Sequence, residues 1–401
     1  MKAAVLGYGT VGGGVVEVLF KNKDAIASRV GEEIEVKYIL DIRTFPGDPF
    51  EDKITNDFNR ILEDEEVKIA CETMGGLKPA YEFTKSLLEA GKSVCTSNKE
   101  LVAAHGPELL KIAGEHNCMY LFEASVGGGI PIIRPLLECL TAEKIDEITG
   151  ILNGTTNYML TKMDREGSDY ADVLKEAQEK GYAERNPEAD VEGYDACRKI
   201  AILASLNYRK TVNYEDIYTE GISAVDSKDF AYAAELGKNI KLLGMCKENG
   251  EKKYAMVAPF MLDPENPLYA VNDVFNGILV HGNMVDKVMF YGRGAGKLPT
   301  ASAVVSDVVE EARNIGKASG IEWSEEKVTL NDKNELVFSY FVRIGGTAET
   351  GSYKELFADA KVLVKDGIDG EFAIVTGEMT EGDFLEKFAR LENAVKFIRI
   401  K

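Results

Sequence analysis

Gly7-Tyr8-Gly9-Thr10-Val11-Gly12 is a glycine-rich segment that indicates the fold of the first part of the chain. It follows a short apolar run at Lys2–Leu6 and precedes an apolar helical pattern at Val15–Leu19. In a G-x-G-x-x-G turn the first glycine permits the bend, the second lets the backbone approach a pyrophosphate, and the third lets helix and strand pack closely. Free N–H groups at the helix N-terminus attract phosphate. The spacing predicts a dinucleotide-binding loop, and an ordinary glycine turn is the alternative. The predicted contacts are Gly7, Gly9, Thr10, Val11 and Gly12.

The end of the second predicted strand, Glu35–Leu40, bears on which nicotinamide cofactor binds. Asp41 can accept hydrogen bonds from the ribose hydroxyls of NAD, whereas Arg43 can pair with the 2′-phosphate of NADP. Both residues are otherwise interpreted as solvated loop charges. The sequence therefore does not decide whether the cofactor is NAD or NADP, although it slightly favours NAD.

Predicted strands and helices alternate through about residue 130, which indicates a parallel sheet with right-handed crossovers. Among the helices is one predicted over Pro107–His116. The expected fold class is α/β, with a Rossmann-type dinucleotide-binding domain over 1–130, completed by a helix at about 300–316. An α+β catalytic and dimerisation domain is expected over 131–299, including a strand at Ala270–Val274. A ferredoxin-like β-α-β-β-α-β unit is expected over 331–401.

Composition narrows the classes of function. The 401 residues carry 47 basic and 67 acidic side chains, so the net charge of −20 disfavours nucleic acid and anionic membrane surfaces as partners. The six cysteines form no C-x-x-C pair, and the three histidines form no H-E-x-x-H motif. With no long apolar segment, the sequence predicts a cytoplasmic protein with free thiols.

Asp195 and Lys199 lie four residues apart and therefore share one face of a predicted helix. The helix continues as Ile200-Ala201-Ile202-Leu203-Ala204, which is apolar on every side and so indicates burial. A buried ion pair is costly without a function, and a buried lysine is a plausible proton donor. A surface ion pair of little consequence is the alternative.

The stretch from Ala177 to Lys199 closely resembles the signature of homoserine dehydrogenases. The Gly7–Gly12 loop and four further stretches also resemble that family, and the likeness covers about residues 1–316. The four stretches are Ser97-Asn98-Lys99-Glu100, Glu123 through Pro131, Asn153-Gly154-Thr155-Thr156-Asn157-Tyr158, and Gly292-Arg293-Gly294-Ala295-Gly296. The family interconverts L-homoserine and L-aspartate 4-semialdehyde with NAD or NADP, on the route to threonine and methionine.

The resemblance implies roles for individual residues. Lys199 matches the proton donor, and Lys99 matches a lysine beside cofactor and substrate. The residues implied in substrate binding are Glu184, Asp195, Thr155 and Tyr182. Further residues implied at the cofactor are Gly75, Ser97, Lys99, Gly181, Glu184, Gly294 and Gly296. Family members that use NADP often carry a basic residue where this chain has Leu40, which argues against a strict NADP preference.

A monovalent-cation site is also implied by the resemblance. It involves Glu123, Val126, Gly128 and Ile130, and one carboxylate with backbone carbonyls suits sodium or potassium. A tight glycine hinge between domains is the alternative interpretation of this stretch.

The carboxyl-terminal unit resembles an ACT domain, the small-molecule regulatory module of amino-acid enzymes. We expect it to bind threonine as an effector, and dimer contacts are the alternative role. The family also suggests a homodimer or larger assembly. Two other functions stay open: another Rossmann-type amino-acid dehydrogenase, or a non-catalytic sensor of dinucleotide and amino acid.

Overall fold

The computed structural model describes residues 1–349 and 352–401. The described chain forms two compact units. The first holds residues 1–143, 201–214 and 290–328, and the second holds residues 144–200, 215–289 and 329–401. The domain boundaries expected at residues 130 and 331 stay predictions beside this division into units. The expected carboxyl-terminal unit includes Thr350 and Gly351, which lie outside the described residues.

The regular elements alternate along the chain. The helices are α1 (Thr10–Lys21), α2 (Lys23–Val30), α3 (Asn59–Leu62), α4 (Ala80–Glu89), α5 (Lys99–Glu115), α6 (Gly154–Glu166), α7 (Tyr170–Glu179), α8 (Glu188–Val191), α9 (Tyr194–Tyr208), α10 (Ser227–Glu235), α11 (Lys297–Arg313), α12 (Tyr353–Leu356) and α13 (Glu381–Ala389). The strands are β1 (Lys2–Leu6), β2 (Glu35–Leu40), β3 (Ile54–Thr55), β4 (Val67–Glu72), β5 (Ser93–Thr96), β6 (Tyr120–Leu121), β7 (Ile145–Ile151), β8 (Lys210–Thr211), β9 (Tyr218–Thr219), β10 (Asn239–Asn249), β11 (Lys252–Leu262), β12 (Phe275–Gly282), β13 (Asp286–Arg293), β14 (Ser324–Lys327), β15 (Val337–Gly345), β16 (Lys361–Leu363), β17 (Glu371–Val375), β18 (Met379–Thr380) and β19 (Ala394–Ile400).

The first unit contains the predicted parallel sheet. Its strand order is β3-β2-β1-β4-β5-β6, which is the Rossmann order, and every pair is parallel. Residues 3–6 of β1 are completely buried, as expected for a strand covered on both faces. The strand order reverses between β1 and β4, so the Gly7–Gly12 loop lies where such sheets bind ligands.

Helix α11 belongs to the first unit and packs against α1. A Cβ atom at Gly14 of α1 would lie 2.7 Å from the carbonyl oxygen of Lys297 and 2.9 Å from Cβ of Ala301. Small residues on both helices therefore allow close packing between α1 and α11.

The second unit is built on a mixed sheet of eleven strands among the described residues. Its main order is β13-β12-β7-β10-β11-β19-β15-β17-β16. Strand β10 pairs with β11 along its entire length, and its Gly244 would place a Cβ atom 3.3 Å from Cβ of Ile200. Glycine on β10 thus lets α9, the helix that carries Asp195 and Lys199, approach the sheet closely.

The carboxyl-terminal residues have the predicted β-α-β-β-α-β order with one added short strand, β18. Their strands lie in the order β19-β15-β17-β16, and all neighbours are antiparallel. Strand β19 also pairs in parallel with β11, at Phe260 with Arg399 and at Met261 with Ile400. Residues 329–401 are part of the second unit because this pairing continues its sheet.

Two expectations about single elements were wrong, and the long strand β10 was missing from them. Residues 270–274 form a turn and not a strand, since Asp273 has a φ of 58° and the backbone around it is held by side chains of other elements. Helix α5 begins at Lys99 and contains Pro107 in its interior. Within the described residues, no helix has the length and apolar character needed to cross a membrane.

Candidate active site

The predicted phosphate-binding loop bends tightly after β1. Gly7 has a φ of 94°, and a Cβ atom at Gly12 would lie 1.9 Å from the carbonyl oxygen of Gly7. The Thr73 hydroxyl lies 3.0 Å from the carbonyl oxygen of Leu6 and 2.9 Å from that of Gly7. The close approach at Gly12 excludes every other residue type, so these glycines do more than mark a turn.

Beyond the bend, the loop leaves room for an anion. Gly9 is the N-cap of α1, which has no side-chain cap, and a Cβ atom at Gly9 would meet no described atom within 4 Å. Thr10 is exposed and Val11 half-buried. Uncapped N–H groups facing open space suit a dinucleotide pyrophosphate, so the loop fits the cofactor that the sequence implies.

Asp41 and Arg43 contact each other. The Asp41 carboxylate accepts hydrogen bonds from the backbone N–H of Tyr8 at 2.8 Å and of Arg43 at 2.9 Å. It also accepts two from the Arg43 guanidinium, at 2.9 and 2.8 Å. The guanidinium, aided by the two N–H groups, holds the pKa of Asp41 well below its usual range. Because a carboxylate has about four lone-pair positions, a ribose hydroxyl would have to replace one of these donors.

The ends of β4 and β5 place further predicted residues at the same edge. Glu72 pairs with Thr96 across the two strands and accepts its hydroxyl hydrogen bond at 2.6 Å. Burial raises the pKa of Glu72. Gly75, with a φ of 80°, follows β4. Ser97 and Lys99, both half-buried, follow β5.

Asn98 organises this edge. Its side-chain oxygen accepts from the backbone N–H of Leu101 and so caps α5, while its amide donates to the carbonyl oxygen of Gly76 at 2.6 Å. Lys99 is the first residue of that helix. The cap therefore fixes where Lys99 leaves the sheet edge.

The second unit brings together four polar residues, which we call the lysine cluster: Lys199, Asp195, Asn153 and Asp190. The Lys199 ammonium donates to Oδ2 of Asp195 and to the carbonyl oxygen of Leu152, both at 2.7 Å. The side chains of Lys199 and Asp195 are 12% and 9% exposed. The ion pair predicted from the sequence is therefore present and largely shielded from solvent.

Asn153 connects the members of the lysine cluster. Its amide nitrogen donates to Oδ1 of Asp190 and to Oδ2 of Asp195, both at 2.7 Å. Its side-chain oxygen accepts from the backbone N–H of Thr156 at 2.8 Å and thereby caps α6. One buried amide thus holds two carboxylates beside the lysine and ties them to the start of a helix.

The other predicted substrate residues lie around the start of α6 and the loop after α7. The Thr155 hydroxyl donates to the carbonyl oxygen of Tyr182 at 2.6 Å, and the Tyr182 ring packs edge-on against Tyr158. Glu184 is exposed, and its carbonyl oxygen accepts from the side chain of Gln178. Gly181, with a φ of 72°, forms the bend that ends α7.

The predicted cation residues lie in the first unit. The buried Glu123 carboxylate accepts from the backbone N–H groups of Ile132, Ile133 and Arg134, at 2.6 to 2.8 Å. A Cβ atom at Gly128 would lie 2.3 Å from the carbonyl oxygen of Gly294. Val126 and Ile130 flank this tight turn and are both buried. Gly296, with a φ of 120°, is the N-cap of α11.

Similarity to known proteins decides between the functions that this geometry permits. The family profile described as "Homoserine dehydrogenase, NAD binding domain" matches residues 7–123, and the profile "Homoserine dehydrogenase" matches residues 131–309. The homoserine dehydrogenase of Synechocystis sp. is 46% identical over 99% of this chain and 98% of its own length. The chain belongs to the homoserine dehydrogenase family.

Solved structures of homoserine dehydrogenases share this fold. That from Thiobacillus denitrificans has a TM-score of 0.88 and 32% identity, covering 100% of this chain and 98% of the other. A hyperthermophilic archaeal homoserine dehydrogenase, solved in complex with NADPH, has a TM-score of 0.67 and 28% identity, covering 79% of this chain and 99% of its own. The chain is accordingly an NAD(P)-dependent oxidoreductase that acts on a CH–OH group.

The sequence patterns predict no role for several residues that the structure places at the sheet edge or in the lysine cluster. Asn153 and Asp190 lie within longer motifs that predict no separate role for either residue, although both bind within the lysine cluster. Glu72 and Asn98 were likewise given no function. Asn98 carried a usable signal, since asparagine directly before an apolar helical pattern is a common N-cap.

Proposed function

We propose that this homoserine dehydrogenase interconverts L-homoserine and L-aspartate 4-semialdehyde, with Lys199 moving the hydroxyl proton. One observation carries the proposal: a shielded lysine is held at 2.7 Å by an aspartate and by a backbone carbonyl oxygen. Two fixed acceptors direct the ammonium group and limit its rotamers, which an acid–base catalyst requires.

The residues of the second unit account for substrate binding and proton movement. In aldehyde reduction, Lys199 donates a proton from Nζ to the aldehyde oxygen, and in alcohol oxidation it takes the hydroxyl proton back. The carboxylates of Asp195 and Glu184 bind the substrate ammonium, because opposite charges form strong hydrogen bonds. Thr155 and Tyr182 hold the other end of the amino acid. Asn153 keeps Asp195 in place for both tasks.

The glycine loop and the ends of β4 and β5 hold the dinucleotide in this proposal. When bound, NAD or NADP accepts or supplies the hydride. The backbone N–H groups of Thr10 and Val11, at the start of α1, bind the pyrophosphate, while Gly75 and Ser97 line the crevice. Lys99 assists the proton relay. Gly181, Glu184, Gly294 and Gly296 complete the cofactor contacts.

The test is the absorbance of the reduced nicotinamide, with homoserine as substrate and NAD or NADP as cofactor. We expect homoserine-dependent reduction of at least one cofactor. Turnover with a different amino alcohol only would favour another amino-acid dehydrogenase. Cofactor binding without turnover on any amino alcohol would favour the non-catalytic sensor.

We also propose that Glu123 and the carbonyl oxygens of Val126, Gly128 and Ile130 hold a monovalent cation. Three N–H groups donate to the Glu123 carboxylate, which leaves about one of its four lone-pair positions for a weakly bound ion. Such an ion would stabilise the turn that packs against Gly294. The test compares cofactor affinity in potassium, sodium and choline chloride, and equal affinity in all three would contradict a cation site.

The carboxyl-terminal residues are proposed to form an ACT-like regulatory module that binds threonine. Their β-α-β-β-α-β order supports this, as does Gly346, with a φ of 109°, directly after the first strand. Inhibition transmitted between two sites typically corresponds to about 1–3 kcal/mol of coupling. Calorimetry and turnover of the intact chain at millimolar threonine test it. Neither heat nor inhibition would leave dimer contacts as the alternative role.

A homodimer in the cytoplasm completes the proposal. Strand β13 lies at the edge of its sheet, and Met289 and Tyr291 on it are 39% and 52% exposed, which suits contact with a second copy. Sedimentation velocity tests the assembly, and a monomer at all concentrations would contradict it. The six free cysteines suit a reducing compartment.

A further inference from the structure

We propose that Arg399, on the carboxyl-terminal strand β19, is a positioning residue for the lysine cluster. It acts through Glu220, which anchors the segment of residues 218–222 against the turn between Asp190 and Asp195. The inference rests on the proposed function, since it assumes that this cluster binds the amino-acid substrate. It assigns a task in catalysis to a strand that lies far along the chain from the catalytic helix.

Arg399 is held on two sides by carboxylates. Its Nε and Nη2 donate to the two oxygens of Glu381, both at 2.7 Å, and its Nη1 donates to Oε2 of Glu220 at 2.7 Å. The Arg399 and Glu381 side chains are 1% and 0% exposed, whereas Glu220 is 33% exposed. A buried, forked pair with Glu381 fixes the guanidinium, so that its third contact sets the position of Glu220.

The segment of residues 218–222 is fixed on both sides by backbone contacts. Tyr218 and Thr219 form β9, which pairs with β11, and the Glu220 N–H donates to the carbonyl oxygen of Val257 at 2.8 Å. The Tyr218 hydroxyl adds a hydrogen bond to Oε2 of Glu220 at 3.0 Å. Arg399 and Tyr218 therefore converge on the same carboxylate oxygen.

The same segment lies directly on the turn that joins α8 to α9. The Ile222 N–H donates to the carbonyl oxygen of Val191 at 2.8 Å. A Cβ atom at Gly221 would lie 2.2 Å from that oxygen, and one at Gly193 would lie 3.2 Å from Cγ2 of Thr219. At Gly221 the two backbones are in direct contact, so a small displacement of one segment moves the other.

The turn under the segment separates the two carboxylates of the lysine cluster. Asp190 precedes it at the end of α8, and Asp195 follows it in the first turn of α9. Both accept from the amide nitrogen of Asn153 at 2.7 Å. A shift of the turn would therefore change the spacing of the carboxylates, and with it the binding of a substrate ammonium.

The chain offers a matched control in Arg343 of β15. This arginine is 3% exposed and pairs with Glu371 through Nε and Nη2, at 3.1 and 3.0 Å, as Arg399 pairs with Glu381. Its Nη1 donates to Asp226 at 2.7 and 2.8 Å and to Asp229 at 2.8 Å, both in the region of α10. Asp226 thus pairs with Nη1 of Arg343 as Glu220 pairs with Nη1 of Arg399, and it is in addition the N-cap of α10.

The experiment compares Glu220→Ala with Asp226→Ala in the full-length protein. Both variants remove a partner of a buried arginine, so both melting temperatures should fall. Only Glu220→Ala should raise the KM for homoserine, by about tenfold, with kcat within about twofold of wild type. The KM for the cofactor should not change in either variant. Glu220→Gln, which keeps an acceptor for Arg399, should restore most of the homoserine KM.

A second part of the experiment uses the substitution Arg399→Met. If Arg399 acts through Glu220, the double variant Arg399→Met/Glu220→Ala should have the homoserine KM of Glu220→Ala alone. A homoserine KM for Glu220→Ala within about twofold of wild type, or an equal rise in Asp226→Ala, would overturn the proposal. Wild-type protein without homoserine turnover would instead refute the proposed function, so the two failures are distinguishable.

Discussion

The phosphate-binding loop of the first unit is made of backbone, whereas the lysine cluster of the second unit is made of charged side chains. At Gly12 a Cβ atom would lie 1.9 Å from a carbonyl oxygen, so the loop depends on the absence of a side chain. In the lysine cluster, the four hydrogen bonds that join Lys199, Asp195, Asn153 and Asp190 and hold Lys199 to Leu152 all run through side-chain atoms of the cluster. In the proposed function, the first arrangement binds a constant pyrophosphate group, and the second moves a proton.

This difference predicts that the two regions fail in different ways. Adding one methyl group to the loop should weaken dinucleotide binding and leave the chemistry of the second unit intact. Removing one charged group should abolish turnover in the lysine cluster and leave dinucleotide affinity intact. The most informative substitutions therefore change one of the two regions, with cofactor affinity and turnover both measured in each variant.

The largest expected effect is that of Lys199→Ala. Loss of a positioned acid–base group should lower kcat by about 10²–10⁴-fold, while the Kd for NAD or NADP stays within about twofold of wild type. Steady-state kinetics and cofactor titration on one preparation measure both. Lys162→Ala, which removes a lysine paired with Glu166 at the same four-residue spacing, is the control and should leave kcat unchanged.

Gly12→Ala should produce the opposite pattern. Overpacking typically costs about 1–3 kcal/mol, and here the strain falls on the loop that contacts the pyrophosphate. We expect the Kd for both cofactors to rise about tenfold or more, measured by titration. Gly13→Ala is the matched control, because its Cβ atom would meet only Tyr8, at 3.8 Å, among the described residues. Equal affinities in the two variants would contradict the role of Gly12.

Arg43→Ala should alter cofactor choice without abolishing binding. The substitution frees the Asp41 carboxylate, which then repels a 2′-phosphate and accepts from a ribose hydroxyl. A hydrogen bond to a charged group contributes about 1.5–3 kcal/mol, so the ratio of kcat/KM for NADP to that for NAD should fall by about tenfold. Arg60→Ala removes the same charge elsewhere in the unit. An equal change in both variants would mean that Arg43 acts only through net charge.

Lys241 gives the smallest predicted effect, on stability. Burial lowers the pKa of this completely buried lysine to about 8, from an ordinary value of 10.5. Between those values the unfolded chain binds more protons than the folded chain, so the free energy of unfolding rises with pH. Relative to Lys241→Met, the wild type should gain about 1 kcal/mol between about pH 7 and pH 9, measured by urea denaturation. A difference independent of pH would contradict it.

The features that could be predicted from the sequence are those set by residues close together in the chain. The glycine spacing gave the loop, and the four-residue spacing of Asp195 and Lys199 gave their ion pair. The role of Asn153 was not predicted because its two carboxylate partners lie 37 and 42 residues away in the sequence. Strand β10 was not predicted because its first eight residues are all buried. The alternation of apolar and polar residues that marks a half-buried strand is therefore absent.

The remaining errors arise where a local sequence signal is overridden by other contacts in the fold. Pro107 suggested a helix start, whereas the Asn98 cap sets the true start of α5 eight residues earlier, at Lys99. Residues 270–274 have a strand-like composition, yet Asn157 and Lys241 bind their carbonyl oxygens and hold them in a turn. Such tertiary hydrogen bonds have no counterpart in the local sequence.

Chemical rescue of Lys199→Ala is the sharpest test of Lys199 as the proton donor. Turnover of aspartate 4-semialdehyde is measured with the intact variant, with and without a small primary alkylammonium ion such as ethylammonium. If Lys199 is the proton donor, the variant should be at least about 100-fold slower than wild type, and the added ammonium should recover part of that loss in proportion to its concentration. A variant that turns over within about threefold of wild type, with no response to the amine, would contradict the account.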